Sequence, residues 1–277
     1  VENSKQVTYE HINSTIIKAL KKNKINRYIP KWQGNEMQIV IPMAGEGKSY
    51  IKAGYKFPKY LVDIAGKPMI QWVVENINAE AKYIFVVQKD HYEKYNLKYM
   101  LSLLVKNSKI VTVENQTEGA PQTILKAENI INKELPLAII NSDQILEWNS
   151  NEFFYAMAAD DCDGGIVTFD SIHPMYSYVQ INKKGFISEC AEKKPISRYA
   201  TAGVYYFRRA KDFISGAKRM IKKEIKIHDQ YFVCPVYNEL IAKKMRIRKY
   251  DIDKVWSFSV PEDMDYFINN YNMDSIK

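Results

Sequence analysis

From Met37 to Asp143, short apolar segments alternate with segments of helical pattern, and this alternation limits the fold more than any other feature. The apolar segments are nearly continuous, which is typical of strands buried on both faces of a parallel sheet. Helical crossovers between such strands are right-handed and cover both faces. The pattern therefore predicts a doubly wound, three-layer α/β domain. The predicted strands are QIVIPM, YIFVVQ, KIVTVE and LAIINSD, and the predicted helices are KPMIQWVVENI, HYEKYNLKYMLSLLV and APQTILKAENII.

The second half of the chain has a different pattern. The segments GGIVTFD, YSYVQI, FISECAEK and AGVYYFRR have strand character and are joined partly by tight turns, one of which ends at Gly185. Tight turns favour antiparallel pairing, so a mixed sheet is expected. We predict helices at KDFISGAKRMIKK and QYFVCPVYNELIAKK, then a strand at RIRKYD and a last helix that Pro261 opens.

Residues 1–36 differ from the rest of the chain. Apolar residues at helical spacing are followed by a basic run and Pro30, which predicts an amphipathic N-terminal helix and a linker. The main domain is then expected over residues 37–277. Because the chain begins at Val1 rather than Met, we expect it to be a piece of a longer protein.

Composition excludes several classes of protein. No apolar run approaches the roughly 20 residues that span a bilayer, so no membrane segment is predicted. Cys162, Cys190 and Cys234 are isolated and lack zinc-ligand spacing, which indicates reduced, buried thiols and favours a cytoplasmic location. The net charge of +8 is spread along the chain, much of it consistent with solvated helix faces. It therefore favours a nucleotide or phosphorylated metabolite over nucleic acid as partner.

A glycine-rich turn follows the first predicted strand, in PMAGEGKSY. In doubly wound sheets, ligands bind beyond the carboxyl ends of strands. Gly45 and Gly47 leave the backbone bare, so that its N–H groups can approach phosphate oxygens. The same spacing also occurs in purely structural turns, and the turn alone does not decide between these readings.

Two further elements are expected at the same sheet edge. Lys56 and Lys59 flank Pro58 in GYKFPKYL, either as a phosphate-binding loop or as solvated surface lysines. Asp143 ends the strand LAIINSD, either as a ligand of Mg²⁺ or as an N-cap of the next segment. The combination of glycine turn, lysines and carboxylate favours a site for a phosphorylated ligand.

These segments together resemble the sugar-phosphate nucleotidylyltransferase family, and the resemblance extends from Met37 to the last predicted helix. PMAGEGKSY resembles the G-x-G-[ST]-R signature, FPKYL the P-K-P-L motif and GKPMI the G-K-P-M motif. TEGAPQTIL, NSDQ, AEKKP, TAGVYYF and SVPEDM resemble further motifs of the family in the same order. Within the family the chain is most similar to capsule-locus members, whose nucleotide is often a pyrimidine.

The resemblance implies a three-layer α/β/α Rossmann-like nucleotidyltransferase fold with a mixed, mainly parallel sheet. It also implies Mg²⁺ as cofactor, and a reaction that joins an NTP, with CTP favoured, to a sugar-1-phosphate or other small phosphorylated acceptor and releases pyrophosphate. The expected role is in capsule or surface polysaccharide precursor synthesis. A homodimer is compatible with the resemblance.

Site residues follow from the same motifs. Lys59 is expected to face the α-phosphate, Asp143 to hold the metal and Lys48 to assist catalysis. The expected nucleotide-binding residues are Ala44, Gly45, Glu46, Gly47, Lys48, Lys59, Gln88, Gly119 and Asp143. The expected acceptor-binding residues are Glu192, Lys193, Lys194 and Gly203. Gly119 would approach the base through bare backbone, whereas Gln88 and His91 either contact the base or serve as capping or surface residues.

The chain departs from the family pattern at several of these motifs. Ser49 stands where the family has an arginine that clamps the pyrophosphate, and serine has neither the charge nor the bidentate geometry of arginine. Tyr60 replaces the second proline of P-K-P-L, which predicts a less rigid lysine loop. Ser257 replaces a second metal aspartate, with Asp251 and Asp253 nearby as substitutes. Two hypotheses therefore remain: an active enzyme with a lysine-based clamp, or a catalytically impaired module that binds nucleotide or a partner.

Overall fold

A nine-stranded mixed sheet lies at the centre of the part of the chain that the structure, a computed structural model, describes: residues 37–271. The predicted N-terminal helix and linker over 1–36 lie outside the described residues. The strands are β1 (Gln38–Pro42), β2 (Asp63–Ile64), β3 (Lys67–Pro68), β4 (Lys82–Gln88), β5 (Lys109–Val113), β6 (Leu137–Ile140), β7 (Gln144–Leu146), β8 (Gly164–Asp170), β9 (Ser177–Ile181), β10 (Ile187–Glu192), β11 (Tyr199–Phe207), β12 (Ile247–Asp251) and β13 (Val255–Ser257).

Nine helices of the described residues surround the sheets. They are α1 (Lys48–Lys52), α2 (Met69–Ile77), α3 (Lys89–Lys94), α4 (Leu97–Leu104), α5 (Ala120–Leu125), α6 (Ser150–Ala159), α7 (Ala210–Lys222), α8 (Val236–Ile241) and α9 (Pro261–Asn270). A short 3₁₀ helix, Lys59–Leu61, carries the lysine loop.

The pairing of strands confirms the predicted mixed, mainly parallel sheet. The order β10-β9-β11-β6-β1-β4-β5 has β8 and β12 attached through β11. Strands β6, β1, β4 and β5 pair in parallel, as their helical crossovers predict. Strand β11 runs antiparallel to its neighbours β6, β8 and β9, and β10 runs antiparallel to β9. From these pairings, and from the parallel pairing of β12 with β8, seven of the nine strands run in one direction, and β10 and β11 run in the other.

Helices cover both faces of the sheet, which confirms the three-layer arrangement. Ile39 and Ile41 of β1 point to one face, where they join a buried cluster with residues of α2, α4 and α6. Val40, between them, points to the other face, into a cluster with residues of α5, α7 and α8. Because alternate residues of one strand are buried on opposite faces, β1 reads as a continuous apolar run.

The C-terminal segment packs beside the carboxyl end of β6. A third buried cluster contains Phe267 of helix α9, Trp256 of strand β13 and Phe258, which follows that strand. Strand β13 pairs with β7, and the Phe258 N–H donates to the Asp143 carbonyl oxygen at 2.8 Å. This cluster therefore holds residues 257–260 against the edge of the sheet where a ligand was predicted.

Three predicted helices differ from the observed ones. In APQTILKAENII the helix ends at Leu125, and turns follow it. The segment HYEKYNLKYMLSLLV forms α3 and α4 rather than one helix, because Asn96 takes the left-handed conformation (φ 49°) that asparagine tolerates better than most residues. In QYFVCPVYNELIAKK the helix begins only at Val236, since Pro235 has no N–H for a helix interior. The three cysteines are buried and unpaired, as predicted. Of the residues 37–271, no helix is long and apolar enough to cross a membrane.

Candidate active site

The glycine turn at the end of β1 leaves open space on one side. A Cβ atom built on Gly45 would have no other atom within 4 Å, so this stretch of backbone is accessible to a ligand. Gly47 has a left-handed φ of 66°, and a Cβ there would lie 3.0 Å from the Cβ of Lys59. The Gln88 side-chain amide donates to the Ala44 carbonyl oxygen at 2.8 Å and ties the turn to β4. The turn and the lysine loop therefore pack directly against each other.

The residues after the turn contact protein groups rather than the open space. Lys48 pairs with Glu46 at 3.2 Å, and its side chain is 70% exposed. Ser49 Oγ donates to the carbonyl oxygen of Ser259 at 3.0 Å. The Tyr50 hydroxyl donates to the Phe258 carbonyl oxygen at 2.8 Å. Helix α1 is thus fastened to residues 258–260, and the assistance predicted for Lys48 stays a prediction.

Lys59 and Asp143, 84 residues apart in sequence, meet at the centre of the site. Lys59 Nζ lies 2.6 Å from Asp143 Oδ2, with side chains 18% and 27% exposed respectively. The same ammonium donates to the Ser259 carbonyl oxygen at 3.3 Å and lies 5.4 Å from the centre of the Tyr50 ring. The two groups thus present a positive and a negative charge side by side at the sheet edge.

A cleft of about 230 Å³ extends from Asp143 towards the acceptor residues predicted from sequence. Of those residues, Glu192, Lys193 and Gly203 line the cleft, whereas Lys194 does not. Gly203 has a φ of 63°, and a Cβ there would lie 2.5 Å from side-chain atoms of Asn141 and Gln144. The other lining residues are Ala120, Asn141, Gln144, Met175, Tyr176, Ser177, Thr201, Tyr205, Phe232, Val233, Val255, Ser257 and Ser259.

Lys193 reaches the cleft through an unusual backbone conformation. Its φ is 54°, which is uncommon for a residue with a side chain. Its N–H donates to the Tyr176 carbonyl oxygen at 3.0 Å, and its ammonium lies 5.3 Å from the centre of the Phe232 ring. The AEKKP motif has one more lysine than E-K-P, and of its two lysines Lys193 lines the cleft whereas Lys194 does not. Strained residues of this kind occur often at functional sites.

Glu192 is a half-buried carboxyl of the cleft. Burial raises the pKa of this carboxyl, while a hydrogen bond from the Ser177 hydroxyl and the charge of Lys193 lower it in part. Sequence reasoning missed Ser177, because a single serine in a strand has no signal that separates a cleft residue from an ordinary core hydroxyl. A carboxyl and several hydroxyls on one wall are suited to bind the hydroxyl groups of a polar acceptor.

The raised pKa makes stability depend on pH in a defined direction. A carboxyl with a higher pKa in the folded state binds more protons when folded, so its contribution to stability declines as pH rises from the unfolded to the folded pKa. We expect Glu192→Gln to be more stable than the wild-type chain at about pH 8, with a difference that shrinks towards about pH 4. Urea unfolding at both pH values measures this. Glu189→Gln, at an exposed position of β10, is the matched control and should show no such trend.

Gly119 opens α5 with a backbone conformation that other residues rarely adopt (φ 132°, ψ 173°). A Cβ at this position would lie 2.1 Å from the carbonyl oxygen of Tyr231. The Tyr231 N–H also donates to the Glu118 carbonyl oxygen at 2.7 Å. The contact with Tyr231 is sufficient to explain why residue 119 is a glycine. The predicted approach of Gly119 to the base of a nucleotide stays a prediction.

We expect Gly119→Ala to lower the free energy of unfolding by at least about 1–3 kcal/mol, because this backbone region is accessible essentially to glycine alone. The overlap with Tyr231 adds to that cost. Gly45→Ala is the control, because its Cβ would meet no atom within 4 Å, and it should change stability by less than about 1 kcal/mol. Urea unfolding compares the two variants. Equal effects would contradict the close contact with Tyr231.

The donor set fits a metal ion that arrives with a phosphorylated ligand. Among residues 37–271, no three His, Cys, Asp or Glu residues form a ready-made metal site. Asp143 is partly exposed at the cleft, and Ser257 and Ser259 line it nearby. Mg²⁺ commonly takes one or two carboxylates and completes its shell with phosphate oxygens and water, which this set allows. Asp251 contacts Thr168 at 2.7 Å and Lys249 instead, and neither it nor Asp253 lines the cleft.

Comparisons with known proteins agree with this architecture. A family model described as nucleotidyl transferase matches residues 39–254. The sequence is 24% identical over 249 residues to the bifunctional protein GlmU of Methanocaldococcus jannaschii, an alignment that covers 86% of this chain and 56% of that protein. The chain thus spans about half the length of the first curated relatives it matches.

Two solved structures share the fold. A nucleoside-diphosphate-sugar pyrophosphorylase from Vibrio cholerae superposes with a TM-score of 0.73 at 22% identity, over 84% of this chain and 100% of that one. The inositol-1-phosphate CTP transferase from T. maritima superposes with a TM-score of 0.65 at 15% identity, over 88% of this chain and 95% of that one. At these identities the likeness concerns the fold.

Proposed function

The chain belongs to the nucleotidyl transferase family, and from this premise we propose that it joins an NTP to a small phosphorylated acceptor and releases pyrophosphate. One observation carries the proposal. Asp143 lines the same cleft as Glu192 and Lys193, and Lys59 contacts two lining residues, Asp143 and Ser259. A carboxylate suited to a phosphate-bound metal and groups suited to a polar acceptor thus face one space, with the Lys59 ammonium beside it.

In the proposed reaction, a phosphate oxygen of the acceptor attacks the α-phosphorus of the NTP. A new P–O bond forms, the bond from the α-phosphorus to the bridging oxygen breaks, and pyrophosphate leaves with the electron pair. The protein's contribution is mainly to position the reactants and to neutralise charge. The accessible backbone at Gly45 would bind the triphosphate, Lys59 would stabilise the α-phosphate and Lys193 would hold the acceptor phosphate.

A divalent metal belongs to the chemistry of the family. Asp143 would hold it, and a bound metal would neutralise negative charge on the phosphates during transfer. The carboxylate now pairs with Lys59 at 2.6 Å, and the same pairing orients the ammonium towards the cleft. Lys59 is thereby held ready to contact a phosphate before the substrate arrives.

We further propose that the nucleotide is a pyrimidine nucleotide, with CTP favoured, and that the acceptor is a sugar-1-phosphate or a similar compound. The product would be a precursor of capsule or surface polysaccharide. The resemblance to capsule-locus members supports it, as does the fold shared with a protein named as an inositol-1-phosphate CTP transferase. A cytoplasmic location accords with three buried, unpaired cysteines. A homodimer stays a prediction.

A second candidate function follows from the position of Ser49. Its hydroxyl is occupied by the Ser259 carbonyl oxygen, and the neighbouring Lys48 pairs with Glu46. At position 49, where the family has its arginine, α1 therefore offers no clamp for the β- and γ-phosphates. This observation favours a catalytically impaired module that binds nucleotide.

One experiment separates the two candidates. The chain is incubated with Mg²⁺, each common NTP and a panel of phosphorylated acceptors, and pyrophosphate release is followed. We expect release with CTP or another pyrimidine nucleotide, and none with the unphosphorylated counterpart of the same acceptor. Nucleotide binding by calorimetry without turnover on any acceptor would favour the impaired module. Absence of both binding and turnover would contradict both candidates.

A further inference from the structure

Tyr60, in the lysine loop, makes a contact that the family's proline could not make. The side chain is 3% exposed and lies in the buried cluster on the side of α2 and α4. Its hydroxyl lies 3.1 Å from Nδ1 of His91 on α3, and the two ring centres are 6.0 Å apart. The expected loss of rigidity at this position is thus offset by a specific polar contact.

The direction of this hydrogen bond follows from the surroundings. The Tyr60 hydroxyl has no other recorded acceptor among the described residues, and burial raises its pKa, so that it keeps its proton. The hydroxyl therefore donates to Nδ1, which requires the tautomer of neutral His91 that carries its proton on Nε2. The contact depends on an unprotonated Nδ1.

A second aromatic contact joins the same loop to the same region. The Phe57 ring lies 5.8 Å from the Tyr95 ring, and Tyr95 lies 6.0 Å from the His91 ring. Phe57, which is 59% exposed, and the buried Tyr60 thus both contact the segment from His91 to Tyr95. We call this set, Phe57, Tyr60, His91 and Tyr95, the aromatic anchor.

The aromatic anchor acts on the residue next to Tyr60. Lys59 and Tyr60 are consecutive in the 3₁₀ helix, and their side chains point to different partners: Asp143 and His91. The backbone of Lys59 cannot shift without also displacing Tyr60. It also cannot shift towards Gly47, whose Cα hydrogen already faces the Lys59 Cβ. The backbone of Lys59 is therefore held from both sides, while Asp143 and the Ser259 carbonyl oxygen hold its ammonium.

We propose that His91 and Tyr60 are positioning residues for nucleotidyl transfer, which hold Lys59 at the α-phosphate through the lysine loop. This inference rests on the proposed function, and it assigns neither residue a contact with the substrate. It also replaces the expectation that His91 contacts the base or merely caps a helix. The anchor takes the place of the second proline as the device that stiffens the loop.

Protonation of His91 would weaken the anchor, because it places a hydrogen on Nδ1: the ring can then only donate to the Tyr60 oxygen, and the buried Tyr60 hydroxyl hydrogen loses its acceptor. Burial lowers the pKa of the ring, Asp90 raises it and Lys94 lowers it; both charged residues lie on α3. Tyr60 from the lysine loop and Tyr95 after α3 are the titratable groups that pack on the ring. The hydrogen bond from the Tyr60 hydroxyl to Nδ1 is thus present at neutral pH and is lost as pH falls below the ordinary histidine range.

The first test compares variants at about pH 8, where His91 is neutral. Tyr60→Phe keeps the ring and removes the hydroxyl, and we expect kcat to fall by about threefold to tenfold, the usual effect of losing one hydrogen bond. The KM for the acceptor should stay unchanged, because the acceptor residues lie elsewhere in the cleft. His91→Ala should lower kcat similarly, whereas His91→Asn, which keeps an acceptor atom near Nδ1, should restore most of it.

The second test uses pH. The ratio of wild-type to Tyr60→Phe activity removes the titration of the substrate phosphates, which is common to both proteins. This ratio should fall towards one as pH drops below the ordinary histidine range. It should stay flat when His91→Asn is compared with the double variant His91→Asn/Tyr60→Phe. A wild-type ratio that does not change with pH would overturn the role of Nδ1.

The outcomes separate this inference from the proposed function. Wild-type turnover that neither Tyr60→Phe nor His91→Ala reduces would overturn the inference and leave the proposed function intact. Absence of wild-type turnover with every NTP and acceptor would overturn the proposed function instead. In that case the affinity of the same variants for CTP with Mg²⁺, measured by calorimetry, decides the inference: equal affinities overturn it, and weaker binding by Tyr60→Phe supports it. Urea unfolding of Tyr60→Phe checks that the fold is retained.

Discussion

Replacing Asp143 with asparagine is expected to lower kcat for nucleotidyl transfer by about 10²–10³-fold, a loss of about 3–4 kcal/mol of transition-state stabilisation. Asparagine has nearly the same shape and can still accept a hydrogen bond from Lys59, so the fold should change little. It cannot supply a negative charge to a metal ion, and no cluster of three potential ligands replaces it among residues 37–271. Initial rates of pyrophosphate release over a Mg²⁺ titration measure the effect.

The matched control for this prediction is Asp253→Asn. Asp253 is exposed and does not line the cleft, so its substitution should leave both the rate and the Mg²⁺ requirement unchanged. The Asp143 variant should also require more Mg²⁺ for half-maximal rate. If Asp143→Asn stayed within about threefold of the wild-type rate, the assignment of the metal to this carboxylate would be wrong.

The parallel part of the sheet could be predicted from sequence because strands that are buried on both faces are runs of apolar residues. Inner residues of β1 alternate between two buried clusters, so Ile39, Val40 and Ile41 are all apolar, and the same holds for the inner residues of β4 and for β6. The meeting of Lys59 and Asp143 also followed, since a residue at the carboxyl end of a strand lies at the edge where ligands bind. The antiparallel pairing of β11 with β6 and β8 was less specified, because tight turns indicate the hairpin between β9 and β10 but not the position of β11.

Contacts through backbone atoms could not be predicted. The carbonyl oxygen of Ser259 accepts hydrogen bonds from both Ser49 and Lys59, and every residue type has such an oxygen. The contact of Gly119 with Tyr231 could not be predicted either, because a glycine required for packing against backbone and a glycine required for ligand binding have the same sequence signal. The hydrogen bond between Tyr60 and His91 was also not predictable. In the sequence, Tyr60 is only a departure from the P-K-P-L motif, and His91 has no signal that separates a base contact from a capping or surface role.

Restoring the arginine of the signature tests whether the departure at Ser49 limits the reaction. We expect Ser49→Arg to raise kcat/KM for the NTP by about tenfold to a hundredfold, since hydrogen bonds to charged groups contribute about 1.5–3 kcal/mol. Serine now donates to the Ser259 carbonyl oxygen at 3.0 Å and leaves the β- and γ-phosphates without a bidentate partner. Initial rates at low NTP concentration measure the gain.

Ser49→Ala and Ser49→Lys separate the possible causes of such a gain. Alanine removes only the bond to Ser259, so it should not raise the rate. Lysine adds charge without the planar fork and should recover only part of the arginine effect. Inhibition by pyrophosphate provides an independent measurement, because the clamp would contact the leaving group, and Ser49→Arg should be inhibited at lower concentrations. A folded Ser49→Arg variant with unchanged rate and unchanged pyrophosphate inhibition would mean that the triphosphate does not pass α1, and that the glycine turn serves only to pack against Lys59.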